Sequence, residues 1–358
     1  MHNARLREGR LRAHRLIAPA ASLVEAAAHM TALQAQEFWG GRWALAVRTR
    51  GTTQLGEVDA AFERGELIRA WTMRGTLHIL APRDLDWLLS ITAERQTRQY
   101  GTVHRNLGIE SADIARAERL VRSALAGGNR LTRAEFGAVL AAGGIDPAGM
   151  RGNHVLIALC LRRVTCLGPV VPRDGAPSRD QYVVATEDWI SETAASDDPL
   201  VDLFVRYISG HGPASAADAA WWAGLPVGVM RDAADRAVGS ATARVVEVAE
   251  GSYVAAGTAP RRHPSAPRVL ALPPFEEYYL SYVDRSVPCA PEFGAAIGPT
   301  QNGIVRPVIV SDGEIVGVWS HSVAAGKHHL PPRAELFADA PASAVEQALA
   351  RFARFIAG

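Results

Sequence analysis

The chain has 358 residues, too long for one small domain and long enough for two to four compact units. Hydrophobic residues make up 48% and charged residues 21%, which excludes a disordered chain, and no run of about 18 uncharged apolar residues offers a membrane span. The net charge of +1 is uneven: residues 1–108 hold 15 Arg against 10 Asp and Glu, whereas residues 271–358 come to −3.

Arg5, Arg7, Arg10, Arg12 and Arg15 crowd the first 15 residues against a single Glu8. Such a basic start reads either as a local polyanion-binding face or as a solvated helix face, and charge alone leaves both open. Residues 1–20 carry no apolar signal core, so a soluble, cytoplasmic protein is expected.

Ser22 then caps a helix predicted over Leu23–Leu33, which runs into the stretch LQAQEFW at 33–39. Helices are predicted over Trp43–Arg48 and Glu57–Arg64. Residues 67–73 and 76–80 read as strands around an Arg74-Gly75 turn, and Pro82 opens the next helix. The order repeats. Ser111–Ala126 is an amphipathic helix, Thr132 and Glu135 form a capping box, His154–Val164 is helical, and Cys166–Val171 and Gln181–Ala185 are strands. It repeats once more with Asp202–Ile208, Ala216–Ala223 capped by Ser215, a turn at Gly224-Leu225-Pro226, Val227–Val238, and strands at Ala243–Val248 and Ser252–Ala256. A small residue four positions before a turn glycine, as in Ala220–Gly224, suits a helix-turn-helix. Helices followed by a hairpin make a winged helix, which predicts three in tandem at 1–108, 109–198 and 199–267. Three such units are hard to explain except by nucleic acid.

Beyond Pro267 the texture is β. Val269–Leu272, Tyr278–Tyr282, Ile304–Val310 and Glu314–Trp319 read as strands, with Asp312-Gly313 a tight turn. Ser343 and Glu346 are predicted to cap a terminal helix over 344–357 whose apolar face holds Val345, Leu349, Phe352 and Ile356. The fold class expected is α+β, with residues 268–358 a small β-barrel closed by a helix.

The chain contains no GxxxxGK[ST], HExxH, CxxC or GxSxG motif, and no paired acids in a His-rich setting. No metal and no cofactor is expected. Cys160, Cys166 and Cys289 lack ligand spacing and read as buried small hydrophobes. Of the 38 basic side chains, 37 are Arg and one is Lys327.

Three strings carry a family resemblance: LQAQEFW, then WTMRGTLH at 71–78, then LPPFEEYY from Leu272 with Asp284-Arg285. They resemble the AlkZ family of bacterial DNA glycosylases, and the likeness extends over nearly the whole chain through Ala219–Gly224 and Arg306-Pro307. Gln34-Ala35-Gln36 matches the Gln-Φ-Gln branch rather than the Gln-Φ-Asp branch. The resemblance implies a C-shaped array of winged helices with a basic concave face, a β-barrel, and excision of bulky or crosslinking alkylated purines from duplex DNA. It implies Gln34 and Gln36 as catalytic. Arg12 and Arg15 of the basic N-terminus, with Arg69, Arg74, Thr76, His78, Arg285 and Arg306 in or near the family strings, are expected as DNA-contacting or supporting residues; the alternatives are hairpin pairing for Arg69, Arg74 and His78 and an internal Asp284–Arg285 salt bridge. A monomer without membrane contact is expected. The segment Ser320–Pro332 is less charged than the family pattern.

The chemistry of the residues runs parallel to this. Alkylation at guanine N7 makes the base a cation and a good leaving group. The catalyst then needs mainly to place water and to face an oxocarbenium-like sugar. A Gln carbonyl accepts from that water, and its amide donates elsewhere. On an unbroken helix, positions i and i+2 sit about 200° apart and cannot share one water. The helix must therefore end within the motif, and Gly40-Gly41 reads as part of that ending. With Lys327 the one lysine, in a loop, a Schiff-base lyase step is not expected. The rival readings are a non-enzymatic DNA-binding regulator and a protector that binds lesions without excising them.

Overall fold

The computed structural model describes residues 2–239, 244–257 and 269–358. Helix α1 spans His2–Ala13, α2 Leu23–Met30, and a short strand β1 covers Leu33–Gln34. Helices α3 (Phe38–Val47) and α4 (Leu55–Glu63) precede the hairpin β2 (Ile68–Met73) and β3 (Thr76–Leu80). The second group comprises α5 (Leu85–Asn106), α6 (Ser111–Leu125), β4 (Arg130–Leu131), α7 (Arg133–Ala142) and α8 (Arg151–Leu161), followed by β5 (Thr165–Val170) and β6 (Gln181–Ala185). After α9 (Thr186–Trp189), the third group is α10 (Pro199–His211), α11 (Ala216–Ala223) and α12 (Val227–Gly239), then β7 (Val245–Ala249) and β8 (Ser252–Ala255). The last segment holds β9 (Val269–Leu272), α13 (Glu277–Leu280), α14 (Gly294–Ile297), β10 (Val308–Ser311), β11 (Glu314–Ser320), β12 (Arg333–Leu336) and α15 (Ala342–Ala357). The fold is α+β, as expected. Ala243 and the expected boundary at 267–268 lie outside the described residues.

The chain forms two compact units: Met1–Val58 with Asp174–Pro177 and Asp198–Gly358, and Asp59–Arg173 with Ser178–Asp197. In the second unit the hairpins β2–β3 and β5–β6 join edge to edge, giving the antiparallel order β3-β2-β5-β6-β4. Its core packs Ile68, Leu80, Leu89, Val121, Leu140, Leu156 and Val183. The Arg74-Gly75 turn forms as predicted, with φ of 51° and 71°, values that favour a glycine at the second position. Thr72 interrupts the β2–β3 register. Its carbonyl turns to α5, accepting from Thr92 Oγ1 and, at 2.6 Å, from Gln96 Nε2. Gln96 also accepts from the Gly75 N–H at 3.1 Å, and Tyr100 donates to the Gly75 carbonyl at 3.2 Å. Thr92, Gln96 and Tyr100 recur every four residues, so one face of α5 fastens the hairpin tip.

In the first unit, Ser215 and Asp218 form a reciprocal capping box for α11, and Gly224 ends it at φ 68°. The strands β12-β11-β10-β9 make an open antiparallel sheet, not the expected barrel, with Asp312 and Gly313 in the left-handed turn between β10 and β11. Helix α15 buries Val345, Leu349, Phe352 and Ile356 as read from the sequence, but it starts at Ala342. Ser343 therefore lies inside the first turn and caps nothing; Pro341 stands at the N-cap. Tyr278–Tyr282 is not a strand. Phe275 reverses the chain at φ 57°, and Glu276 caps the short helix α13 by accepting from Tyr278 N at 2.9 Å. The buried tyrosines donate out of that turn: Tyr278 to Gly313 O at 2.8 Å, Tyr279 to Gly298 O at 3.0 Å, and Tyr282 to His211 O at 2.7 Å. Three long-range partners override the β propensity of the run.

All three cysteines are free and buried. Burial pushes the Cys160 thiol up to about 11, so it is inert as a thiolate nucleophile.

Candidate active site

The Gln-Ala-Gln motif is set by what stops α2. The helix ends at Met30, earlier than the Leu33 read from the sequence. Thr31 follows at φ 66° and ψ −54°, and the Ala32 N–H donates back to Met30 O at 2.7 Å. That is a γ-turn of the strained, positive-φ kind, centred on a buried β-branched residue. Leu33 and Gln34 are then extended, and Gln36 lies in the bend before α3. Neither glutamine is therefore held to the i, i+2 geometry of a helix: Gln34 sits on extended backbone and Gln36 in the bend that follows. Gln34 and Ala35 are buried and Gln36 is exposed. Gly40-Gly41 plays no part in the ending: both sit inside α3, where a Cβ on Gly40 would lie 2.8 Å from Pro274 Cγ. The glycine admits the Leu-Pro-Pro turn against the helix.

That turn delivers two consecutive buried carboxylates. Glu276 pairs with Arg48 at the end of α3, both fully buried, with Arg48 Nη1 3.4 Å from Glu276 Oε2. Glu277 Oε1 accepts from the backbone N–H of Gln34 at 2.9 Å. Its Oε2 accepts from Trp222 Nε1 at 3.0 Å and from Ser281 Oγ, and lies 3.8 Å from His211 Nε2. Sequence reasoning quoted this Glu276-Glu277 string for resemblance and missed its role. The one available signal was a pair of adjacent acids inside an otherwise apolar and aromatic run.

Among the arginines of this unit, Arg12 lies on α1, 3.6 Å from Glu8. Arg15 Nη2 stands 3.4 Å from His29 Nδ1. Arg285 lies over the rings of Tyr279 and Trp221, 5.1 and 5.7 Å from their centroids, while Asp284 accepts from Ser286 N at 2.8 Å. Arg306 donates to Glu335 at 2.7 Å and to Ala296 O. In the other unit, Arg69 is buried with Gln181 Oε1 3.4 Å from Nη1, and His78 is buried with Nδ1 3.0 Å from Thr72 Oγ1. Arg74 and Thr76 are half-buried at the hairpin tip, Thr76 Oγ1 donating to Met73 O. The tryptophan pair divides. Trp222 is core, whereas Trp221 is 48% exposed and donates to Leu280 O at 3.0 Å. Phe38 is buried, and Trp39 packs edge-on against Trp319 and Phe352. Among the described residues no helix is long and apolar enough to cross a membrane.

Repeated helix-and-hairpin groups, with an amide pair at the end of an anchored extended segment, put the chain among nucleic-acid-binding folds. It belongs to the AlkZ-like DNA glycosylase family, whose profile matches residues 27–355. An interstrand DNA cross-link repair glycosylase of Streptomyces sahachiroi is 27% identical over 271 residues, covering 71% of this chain and 70% of that protein. The solved structure of the Streptomyces sahachiroi DNA glycosylase AlkZ superposes with a TM-score of 0.77 at 22% identity, covering 99% of this chain and 96% of the other.

Proposed function

We propose that the protein is a monofunctional DNA glycosylase. It hydrolyses the N-glycosidic bond of bulky or crosslinked N7-alkylated purines in duplex DNA, in alkylation repair or in self-resistance to a DNA-alkylating natural product. The observation that carries this is the Gln34-Ala35-Gln36 segment, non-helical and anchored at the Gln34 backbone in a chain of this family. The name of the cross-link repair relative supports crosslinked substrates.

In this mechanism the bond between sugar C1′ and purine N9 breaks, and its electron pair neutralises the cationic base. Water adds to C1′ and loses its proton to solvent. A glutamine carbonyl only orients that water and faces the developing sugar cation, which suffices because the leaving group is already activated. Neutral catalysts of this strength leave normal bases alone. Arg12, Arg15, Arg74, Thr76, Arg285 and Arg306, each partly exposed, are the DNA contacts in this reading. Buried Arg69 and His78 act through the hairpin. The helix-and-hairpin groups serve as winged helices at 1–108, 109–198 and 199–267, residues 268–358 complete the enzyme, and it works as a monomer.

The test is incubation with duplex DNA bearing an N7-alkylguanine, followed by alkali. Wild type yields strand breaks. Gln34→Ala and Gln36→Ala lose roughly 10²–10³ in rate with lesion-duplex affinity within about threefold, because uncharged positioning groups act in the transition state. Variants that excise like wild type overturn the site. A wild type that binds and never excises is a protector or regulator instead. Borohydride trapping yields no covalent adduct; an adduct overturns the monofunctional assignment.

A further inference from the structure

We infer that Glu277 is a positioning residue for this reaction: its buried carboxylate holds the backbone that presents Gln34 and Gln36. The inference rests on the proposed excision chemistry and assigns the group that makes two neutral amides effective.

Glu277 is 2% exposed and lies 243 positions from Gln34, yet its Oε1 takes the Gln34 N–H at 2.9 Å. Trp222 Nε1 at 3.0 Å and Ser281 Oγ hold Oε2. At least three donors thus converge on one side chain, from β1, from the helix-turn-helix and from Ser281 just after α13. A carboxylate accepts on both oxygens and donates nothing, which is what three donors require. A glutamine there would turn an NH₂ toward at least one of them. The hydrogen bond to Gln34 is charge-assisted and desolvated, so it is stronger than a neutral backbone contact.

The motif is also fixed on its N-terminal side. The Thr31 γ-turn ends α2 three residues before Gln34, in a backbone conformation that a β-branched residue adopts only when its surroundings impose it. Phe275, two residues before Glu277, is likewise at positive φ, and the adjacent Glu276 is tied to Arg48 at the end of α3. Strained turns on both partners meet at the Gln34–Glu277 contact. The carboxylate acts on the backbone and not on the substrate, so its effect belongs in the rate of excision rather than in DNA affinity.

The experiment compares wild type, Glu277→Gln, Gln34→Ala and the double variant in single-turnover excision, lesion-duplex affinity, thermal unfolding and amide exchange of residues 31–36. Glu277→Gln lowers the excision rate about 10- to 100-fold, the scale of a misplacement near 1 Å, with affinity within about threefold. In the Gln34→Ala background it costs less than about threefold more, because both changes act through one group. Exchange at 31–36 is slow in wild type and faster in Glu277→Gln. Equal losses in both backgrounds, unchanged exchange, or wild-type excision by Glu277→Gln each overturn the inference. Should Glu277→Gln not fold, Ser281→Ala removes one donor from Oε2, and the same pattern appears at smaller size. A wild type that excises nothing defeats the proposed function, whereas the exchange comparison still decides whether Glu277 holds the motif.

Discussion

Arg48 and Glu276 form a fully buried charge pair in the first unit, with side chains 0% and 1% exposed. Arg48 also donates to Ala44 O at 3.1 Å, so the guanidinium closes α3 while holding the turn that carries Glu277. A pair desolvated this fully gains little over an apolar pair, but removing one partner strands the other. Arg48→Met therefore lowers unfolding free energy by about 3–5 kcal/mol, and Arg48→Met with Glu276→Leu recovers most of that loss. Denaturant unfolding of both variants checks it; a double variant no better than the single would show that the pair matters for more than charge balance. No arginine in the sequence announces this. Arg48 looked like the basic end of a helix, and its burial comes from a partner 228 positions away.

Helix α3 shows how an element is decided by its neighbour. Its glycines suggested a break, yet the helix runs through them because Pro274 fills the place of the missing Cβ. Gly40→Ala puts a methyl 2.8 Å from a proline ring carbon that cannot rotate away, which costs about 1–3 kcal/mol despite the better helix propensity of alanine. A lower melting temperature is the expected result, and a stabilised variant would mean that the Leu-Pro-Pro turn shifts freely. The hairpin β2–β3 is the opposite case. Its turn residues dictate their own geometry, so its bounds read from the sequence to within one residue. Local turn chemistry survives translation into structure, whereas the 278–282 run departs from the strand expected of it because its tyrosines satisfy partners at 211, 298 and 313.

Stability of the whole molecule carries a pH dependence from histidines buried around α1 and α2. His29 Nε2 donates to Ala13 O at 2.7 Å and its Nδ1 receives Arg15, the pattern of a neutral ring. Burial, reinforced by Arg15, lowers its pKa from 6.5 to about 4, and burial lowers His14 in the same direction. Between those values the unfolded chain holds a proton that the folded one does not. The His29 contribution to stability therefore falls as pH drops from about 6.5 toward about 4, by up to roughly 3 kcal/mol, and levels off below, while His14 adds to the loss in the same direction. Denaturant unfolding at pH 7.5, 6 and 5 should show the decline, and His29→Gln should flatten it; a protein more stable at pH 5 than at pH 7.5 would contradict the assignment.

The amino-acid sequence alone determined the helix-and-hairpin order, the caps at Ser22, Thr132 and Ser215, the turns at Gly75, Gly224 and Gly313, and the glutamines to examine. These features rest on interactions within a few residues, which local patterns report. Only the tertiary structure decided that the C-terminal sheet is open, that α2 stops at a strained Thr31, and that Glu277 reaches back to the Gln34 backbone. An open or closed sheet depends on which edges meet, and a buried carboxylate is placed by donors from distant segments. The i, i+2 spacing of the glutamines predicts a helix end within the Gln-Ala-Gln motif; the fold ends α2 upstream of it, at Met30, through the Thr31 γ-turn, and ties the Gln34 N–H to Glu277.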